Sequence, residues 1–214
     1  RVSAPTGSGK TLAYLLPALQ SLLREPLAPN GGTLMLVLVP TRELARQVLK
    51  SCRQLLAKST LRADALTGGA DFKYQKSMLR KNPEVVIATP GRLLEHCEHG
   101  SADLRHLKVL VIDEADRMLD LGFREDVQKI AAFSPPTRQT LLLSATLHAR
   151  GLGDMSAALQ KEPVAISCGD IRAAHESIHH QRILVDGQEH KDKLLIALLQ
   201  DTGRKQLVFA NKRS

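Results

Sequence analysis

Four short runs, 34–39, 85–88, 109–112 and 140–143, are rich in Leu, Val and Ile, and with a shorter fifth at 63–66 they show little polar alternation. Alternation is what a strand with one wet face requires, so its absence predicts strands buried on both faces. Between the runs, residues 11–23, 42–57, 71–79, 92–96 and 123–133 carry helical spacing or helix-start signals. Strands alternating with helices are the pattern of a parallel sheet joined by crossover helices, which makes the expected fold α/β and doubly wound. Pro17 falls inside the first helical stretch, where a kink or an early end is expected. Only residues 1–3 stand before the first loop, and they are read as the remnant of a strand. After Pro163 the pattern turns polar; a strand at 181–185, a helix at 191–199 and a strand at 206–209 then suggest the opening of a second α/β unit.

Composition narrows the function classes. No stretch approaches the ~18 apolar residues of a membrane-spanning helix. Three cysteines, Cys52, Cys97 and Cys168, are odd in number and lack a C-x-x-C pair, which argues for a reducing compartment, with the cytoplasm the default. No signal-peptide pattern opens the chain. A formal charge of +8 suits a polyanionic partner without demanding one. Aromatic residues make up only 3%, too few for a base-stacking platform, so any nucleic acid is expected to be held by its sugar-phosphate backbone.

Two segments carry chemistry. Ala4-Pro5-Thr6-Gly7-Ser8-Gly9-Lys10-Thr11 matches the P-loop from its Gly-Lys-Thr end backwards, with Ala4 where the general pattern has its first Gly. Thr6, Gly7, Ser8 and Gly9 would wrap backbone N–H groups around phosphate, Lys10 would reach the outer phosphates and Thr11 would ligate Mg²⁺. The run Val109-Leu110-Val111-Ile112 ends in Asp113-Glu114-Ala115-Asp116, so carboxylates sit at the carboxyl end of a buried strand, where open α/β sheets bind ligands. Asp113 would hold Mg²⁺ and Glu114 would orient or deprotonate the attacking water. Each segment alone has a plainer reading, as a Gly-rich turn or as a helix start enriched in carboxylates; together they favour ATP hydrolysis, with Lys10, Asp113 and Glu114 catalytic.

Asp113-Glu114-Ala115-Asp116 spells the signature of the DEAD-box RNA helicases, and the Ala4 form of the P-loop also resembles that family. Other segments match in order: Pro40-Thr41-Arg42-Glu43-Leu44-Ala45 resembles motif Ia, Gly68-Gly69 the GG element, Thr89-Pro90-Gly91-Arg92 motif Ib and Ser144-Ala145-Thr146 motif III. Leu207-Val208-Phe209-Ala210-Asn211 looks like motif IV. The resemblance implies a RecA-like ATP-binding domain over 1–166, a linker over 167–180 and the incomplete start of a second RecA-like domain over 181–214. It implies RNA contacts at Pro40, Thr41, Arg42, Gly68, Gly69, Thr89, Pro90, Gly91 and Arg92, and coupling of the two sites through Asp116, Ser144 and Thr146. Read singly, Thr41 and Thr89 are equally good helix caps.

The expected activity is ATP-dependent RNA unwinding by a monomer. By the same resemblance an adenine-reading Q motif lies before Arg1 and the arginine-bearing motifs V and VI after Ser214, so residues 1–214 alone are expected to hydrolyse ATP feebly or not at all, and with the strand at 1–3 cut short they are expected to fold poorly. Competing readings are a DNA helicase or translocase, an ATP-locked RNA clamp with incidental hydrolysis, and a small-molecule kinase, which leaves the RNA motifs without a task. His96-Cys97-Glu98-His99 is too crowded for a metal site. His179-His180 reads as solvated linker, Lys73, Lys76, Arg80 and Lys81 as a solvated helix face, and Met118, Leu119 and Leu121 as helix packing.

Overall fold

The structure is a computed structural model that describes residues 1–4, 8–24, 32–145, 149–168, 181–200, 203 and 205–209. It divides into two units, 1–171 and 172–214.

The first unit is built on seven strands: β1 (Val2–Ser3), β2 (Met35–Leu38), β3 (Ala63–Leu66), β4 (Val85–Ala88), β5 (Val109–Ile112), β6 (Gln139–Ser144) and β7 (Ile166–Ser167). Their order is β3-β4-β2-β5-β6-β1-β7 and every pairing is parallel. Residues of the central strands β2, β4 and β5 alternate between two cores, which is why those runs lack polar positions. Met35, Val37, Val85, Ile87, Val109 and Val111 face α1 (Lys10–Arg24) and α2 (Arg42–Leu56). Leu36, Leu38, Val86, Ala88, Leu110 and Ile112 face the opposite layer. That layer is α3 (Phe72–Leu79), α4 (Pro90–Glu98), α5 (Ala115–Asp120), α6 (Arg124–Ala132) and α7 (Leu152–Leu159). Each fully buried Leu or Ile contributes about 1.5–3 kcal/mol, so helices on both faces are what make these strands stable. The doubly wound parallel sheet is therefore as expected.

Several details differ from the sequence reading. Helix α1 continues through Pro17 to Arg24. Pro17 lies on the exposed face, as does Ala13, whose carbonyl loses its helical donor and can take one from water instead. Neither α7 nor β7 was anticipated: Gly151 and Gly153 weaken the helical signal of the first, and the second is two residues long. Met118 is buried and Leu119 packs against the core, but Leu121, at the α5 C-cap, is 53% exposed and lies outside that core.

In the second unit, α8 spans Gln188–Leu199 and buries none of its residues. The strands expected at 181–185 and 206–209 are not formed, and Leu184, Leu207 and Phe209 are highly exposed. A strand needs a neighbour to accept its ladder bonds, and no strand exists among the described residues of this unit. Residues 169–180, with His179 and His180, lie outside the described residues, as do Ala210 and Asn211. Among the described residues no helix is long and apolar enough to cross a membrane.

Because all seven strands run the same way, their carboxyl ends share one edge. The ends of β1, β2, β3, β4, β5 and β6 and the segments that follow them hold the described residues singled out for the ATP and RNA sites in this unit.

Candidate functional site

At the end of β1 the backbone N–H of Ala4 bonds the Ser144 carbonyl at 3.3 Å, which sets the P-loop segment beside the end of β6. Gly9 adopts φ +84°, a conformation open to glycine, and α1 starts at Lys10. The Lys10 ammonium donates to the Ala4 carbonyl. Thr11 sits half-buried in the first turn, whose unbonded N–H groups and dipole favour an anion. Thr6 and Gly7 lie outside the described residues, and so does Thr146.

Asp113 follows β5 and is 3% exposed. One of its oxygens accepts from the Glu114 backbone N–H at 2.9 Å and the other from the Tyr14 hydroxyl at 3.2 Å. Burial pushes the Asp113 carboxyl above its ordinary range, against the opposing pull of the Tyr14 bond, the Glu114 N–H and the Lys10 charge. Burial and then the Asp113 charge push the Tyr14 phenol up, so it stays protonated and donates. Tyr14 was not singled out from the sequence. Its position three residues after Thr11 puts it on the same helix face, which is the signal that could have found it.

Glu114 is a non-glycine residue in the left-handed region, φ 52° and ψ 49°, at the start of α5. That conformation costs about 1–2 kcal/mol and clusters at functional sites. It turns the Glu114 carboxylate to within 3.5 Å of the Arg117 guanidinium. Lys10, Glu114 and Asp116 line one groove of about 610 Å³ together with Arg117, Ala145 and Arg150. Ser144 is fully buried at the end of β6.

A second groove, of about 440 Å³, is lined by Pro40, Thr41, Arg42, Gly68, Thr89, Gly91 and Arg92. Glu43, from the same motif Ia segment, and Phe123, which the sequence did not single out, complete it. Three separate loops thus meet in one place. Thr41 spends its hydroxyl oxygen as the cap of α2, accepting from Leu44 N–H at 3.2 Å, whereas Thr89 at the start of α4 makes no such cap bond. Pro90 is buried at the first turn of α4, where its missing N–H costs nothing. Gly69 has φ +79°, and a Cβ there would collide with the Arg42 guanidinium lying over Gly68 and Gly69. Arg92 is held inward: Nη1 donates to the Ala70 carbonyl at 2.7 Å and to Gln75 Oε1 at 2.8 Å, and Nε pairs with Glu95 at 3.0 Å.

The remaining candidates are structural. The His96 ring is buried, stacked on Phe72 with centroids 4.1 Å apart, and bonded to Ser101 Oγ at 2.9 Å. Burial, and then the Arg92 charge, lowers its pKa and favours the neutral ring. Burial pushes the Cys97 thiol up to about 12. Lys73, Lys76, Arg80 and Lys81 are exposed on and just beyond α3.

The profile of the DEAD/DEAH box helicase family matches residues 1–155. The ATP-dependent RNA helicase SrmB of Escherichia coli (strain K12) is 42% identical over 212 residues, covering 99% of this chain and 48% of that protein. The DEAD-box ATP-dependent RNA helicase 20 of Oryza sativa subsp. japonica is 40% identical over 215 residues, 98% of this chain and 43% of its own length. Among solved structures, that of a hypothetical ATP-dependent RNA helicase from Sulfolobus tokodaii aligns with a TM-score of 0.68 at 34% identity, over 78% of this chain and 47% of that one. The chain therefore spans about half the length of the curated relatives it matches or somewhat less. With a RecA-like parallel sheet, its ordered motifs gathered on one edge, and a family match over most of its length, this chain belongs to the DEAD/DEAH box helicase family.

Proposed function

We propose that the protein containing this chain is an ATP-dependent RNA helicase that couples ATP binding and hydrolysis to RNA binding and local unwinding. The observation that carries this reading is that a phosphate-type groove with Lys10, Glu114 and Asp116 and a groove flanked by Arg42 and Arg92 share one edge of one sheet. Relatives named ATP-dependent RNA helicases support it.

In this reading the first turn of α1 and Lys10 bind the phosphates of ATP, with Thr6, Gly7, Ser8 and Gly9 wrapping them. Mg²⁺ fits the residues present: Asp113 is a buried carboxylate whose desolvation a cation relieves, and Thr11 supplies a hydroxyl in the adjoining turn. When bound, the ion neutralises charge on the phosphate oxygens. Tyr14 and the Glu114 N–H fix the Asp113 carboxylate, and Glu114, turned out by its backbone, orients the attacking water and accepts its proton. The second groove takes the RNA sugar-phosphate backbone through Arg42, Thr89, Gly91 and the outer edge of Arg92, which makes binding independent of base sequence. Asp116 and Ser144, with Thr146, link the two.

ATP hydrolysis by the full-length protein, measured without nucleic acid and with single-stranded RNA or matched DNA, tests the proposal. Stimulation by RNA alone is expected. Equal stimulation by DNA would replace it with a general nucleic-acid translocase, because discrimination rests on the 2′-hydroxyl.

A further inference from the structure

We propose that Gln75 is a positioning residue for RNA binding, its buried carboxamide locking the Gly68-Gly69 turn and the Arg92 guanidinium into a single arrangement. The inference rests on the RNA-helicase reading and extends it to a side chain outside every motif that carries that reading.

Glutamine is ordinarily exposed, yet Gln75 is 2% exposed in α3. Both ends of its amide are used. Nε2 donates to the Thr67 carbonyl at 2.9 Å, directly before the glycine pair. Oε1 accepts from Arg92 Nη1 at 2.8 Å and faces His96 Nε2 at 3.2 Å. The partners fix which end is which: a carbonyl needs a donor opposite it and a guanidinium an acceptor, so the amide cannot be flipped. The same logic places the proton of the neutral His96 on Nε2, leaving Nδ1 toward Ser101.

Arg92 Nη1 donates to Ala70 and Gln75 and Nε pairs with Glu95, so Nη2 carries the N–H groups directed elsewhere. Guanidinium is a rigid planar fork, so fixing one side fixes the direction of the other. On the far side of the same turn, Gly68 and Gly69 form the floor under Arg42. Gln75 thus holds from behind the turn on which one groove arginine rests, and directly holds the other. Losing it lets Arg92 leave its 14%-exposed seat and removes the partner of the Thr67 carbonyl. RNA must then order these groups itself, a cost worth roughly three- to tenfold in affinity.

The test is the RNA dependence of ATP hydrolysis by the full-length protein carrying Gln75→Met, Arg92→Ala or both. Gln75→Met should raise the apparent KM for single-stranded RNA about three- to tenfold while kcat at saturating RNA stays within about twofold. The double variant should be worse than Arg92→Ala alone by less than the Gln75→Met loss, because Gln75 acts partly through Arg92 and partly through the Gly68-Gly69 turn under Arg42. Additive losses, or an unchanged KM, would overturn the inference. Should Gln75→Met not fold, Gln75→Asn keeps the amide but is too short to reach both partners, and the same rise in KM is required of it. A wild-type protein indifferent to RNA would overturn the helicase reading and this one with it; a responsive wild type with a normal Gln75→Met would overturn this one alone.

Discussion

At the end of β5, Asp113 is buried with its charge met by one phenol and one backbone N–H, and Glu114 is held in a left-handed conformation. At the end of β4, two positions away in the sheet, Arg92 is bonded to Ala70, Gln75 and Glu95 before any ligand arrives. The two sites share an edge but distribute free energy in opposite ways. The acidic site is a place of local cost, which the cation and phosphate proposed for it would relieve. The arginine site is internally satisfied, so a ligand finds its donors already aimed. A site that must change between ligand states suits the first arrangement, and a site that must grip any phosphate backbone in one geometry suits the second.

The largest effect expected from this contrast is on turnover. Glu114→Gln in the full-length protein should lower RNA-stimulated ATP hydrolysis by about 10²–10⁴-fold, since it removes the proposed proton acceptor and keeps the shape. The heat-denaturation midpoint should stay put, because Gln bears the same left-handed conformation. If hydrolysis survives, Glu114 is not the base, and the backbone strain at that position has no catalytic meaning.

Gly69→Ala probes the other side. A Cβ there meets both the positive φ and the Arg42 guanidinium. Expected are a loss of about 1–2 kcal/mol in stability, read by thermal melting, and weaker binding of single-stranded RNA as Arg42 is displaced. A variant with wild-type melting and wild-type RNA affinity would show that Arg42 does not rest on this turn, and the idea of a pre-aimed groove would fail with it.

How much of this could be read from sequence depends on whether the information was local. The strands were legible because burial on both faces removes every polar position from Val85–Ala88 and Val109–Ile112. The site positions were legible because each motif directly follows a strand in a sheet whose strands are all parallel. What each side chain does there was not. Thr41 and Thr89 look alike in sequence, yet only Thr41 makes the cap bond. Arg42 and Arg92 were read as equivalent phosphate holders, but the tie on Arg92 comes from Gln75, seventeen residues earlier, and no local pattern reports it. Glu114 and Tyr14 depend on a backbone angle and on a contact across 99 residues. The strands expected at 181–185 and 206–209 show the converse: their residues have β-propensity, but propensity forms no strand without a partner to bond.

The smallest effect separates cost from satisfaction most directly. Burial raises the Asp113 pKa above the ordinary 3.8, so the folded state holds that proton more tightly than the unfolded chain does. Stability then falls as pH rises from the unfolded value through the folded one. Asp113→Asn should therefore stabilise the nucleotide-free protein at pH 7, by under about 2 kcal/mol, even though it removes the residue assigned to Mg²⁺. The gain should shrink on acidification, as the wild-type carboxyl takes up its proton. Mg²⁺ with ATP should stabilise the wild type and no longer stabilise the variant. The matched change at the other site, Arg92→Met, should destabilise, because it takes one donor from the buried Gln75 Oε1 and breaks the pair with Glu95. Chemical denaturation of the two variants side by side, without and with Mg²⁺ and ATP, measures both signs. Two destabilised variants would mean that Asp113 is as well satisfied as Arg92, and that the acidic end of the sheet carries no cost for its ligands to relieve.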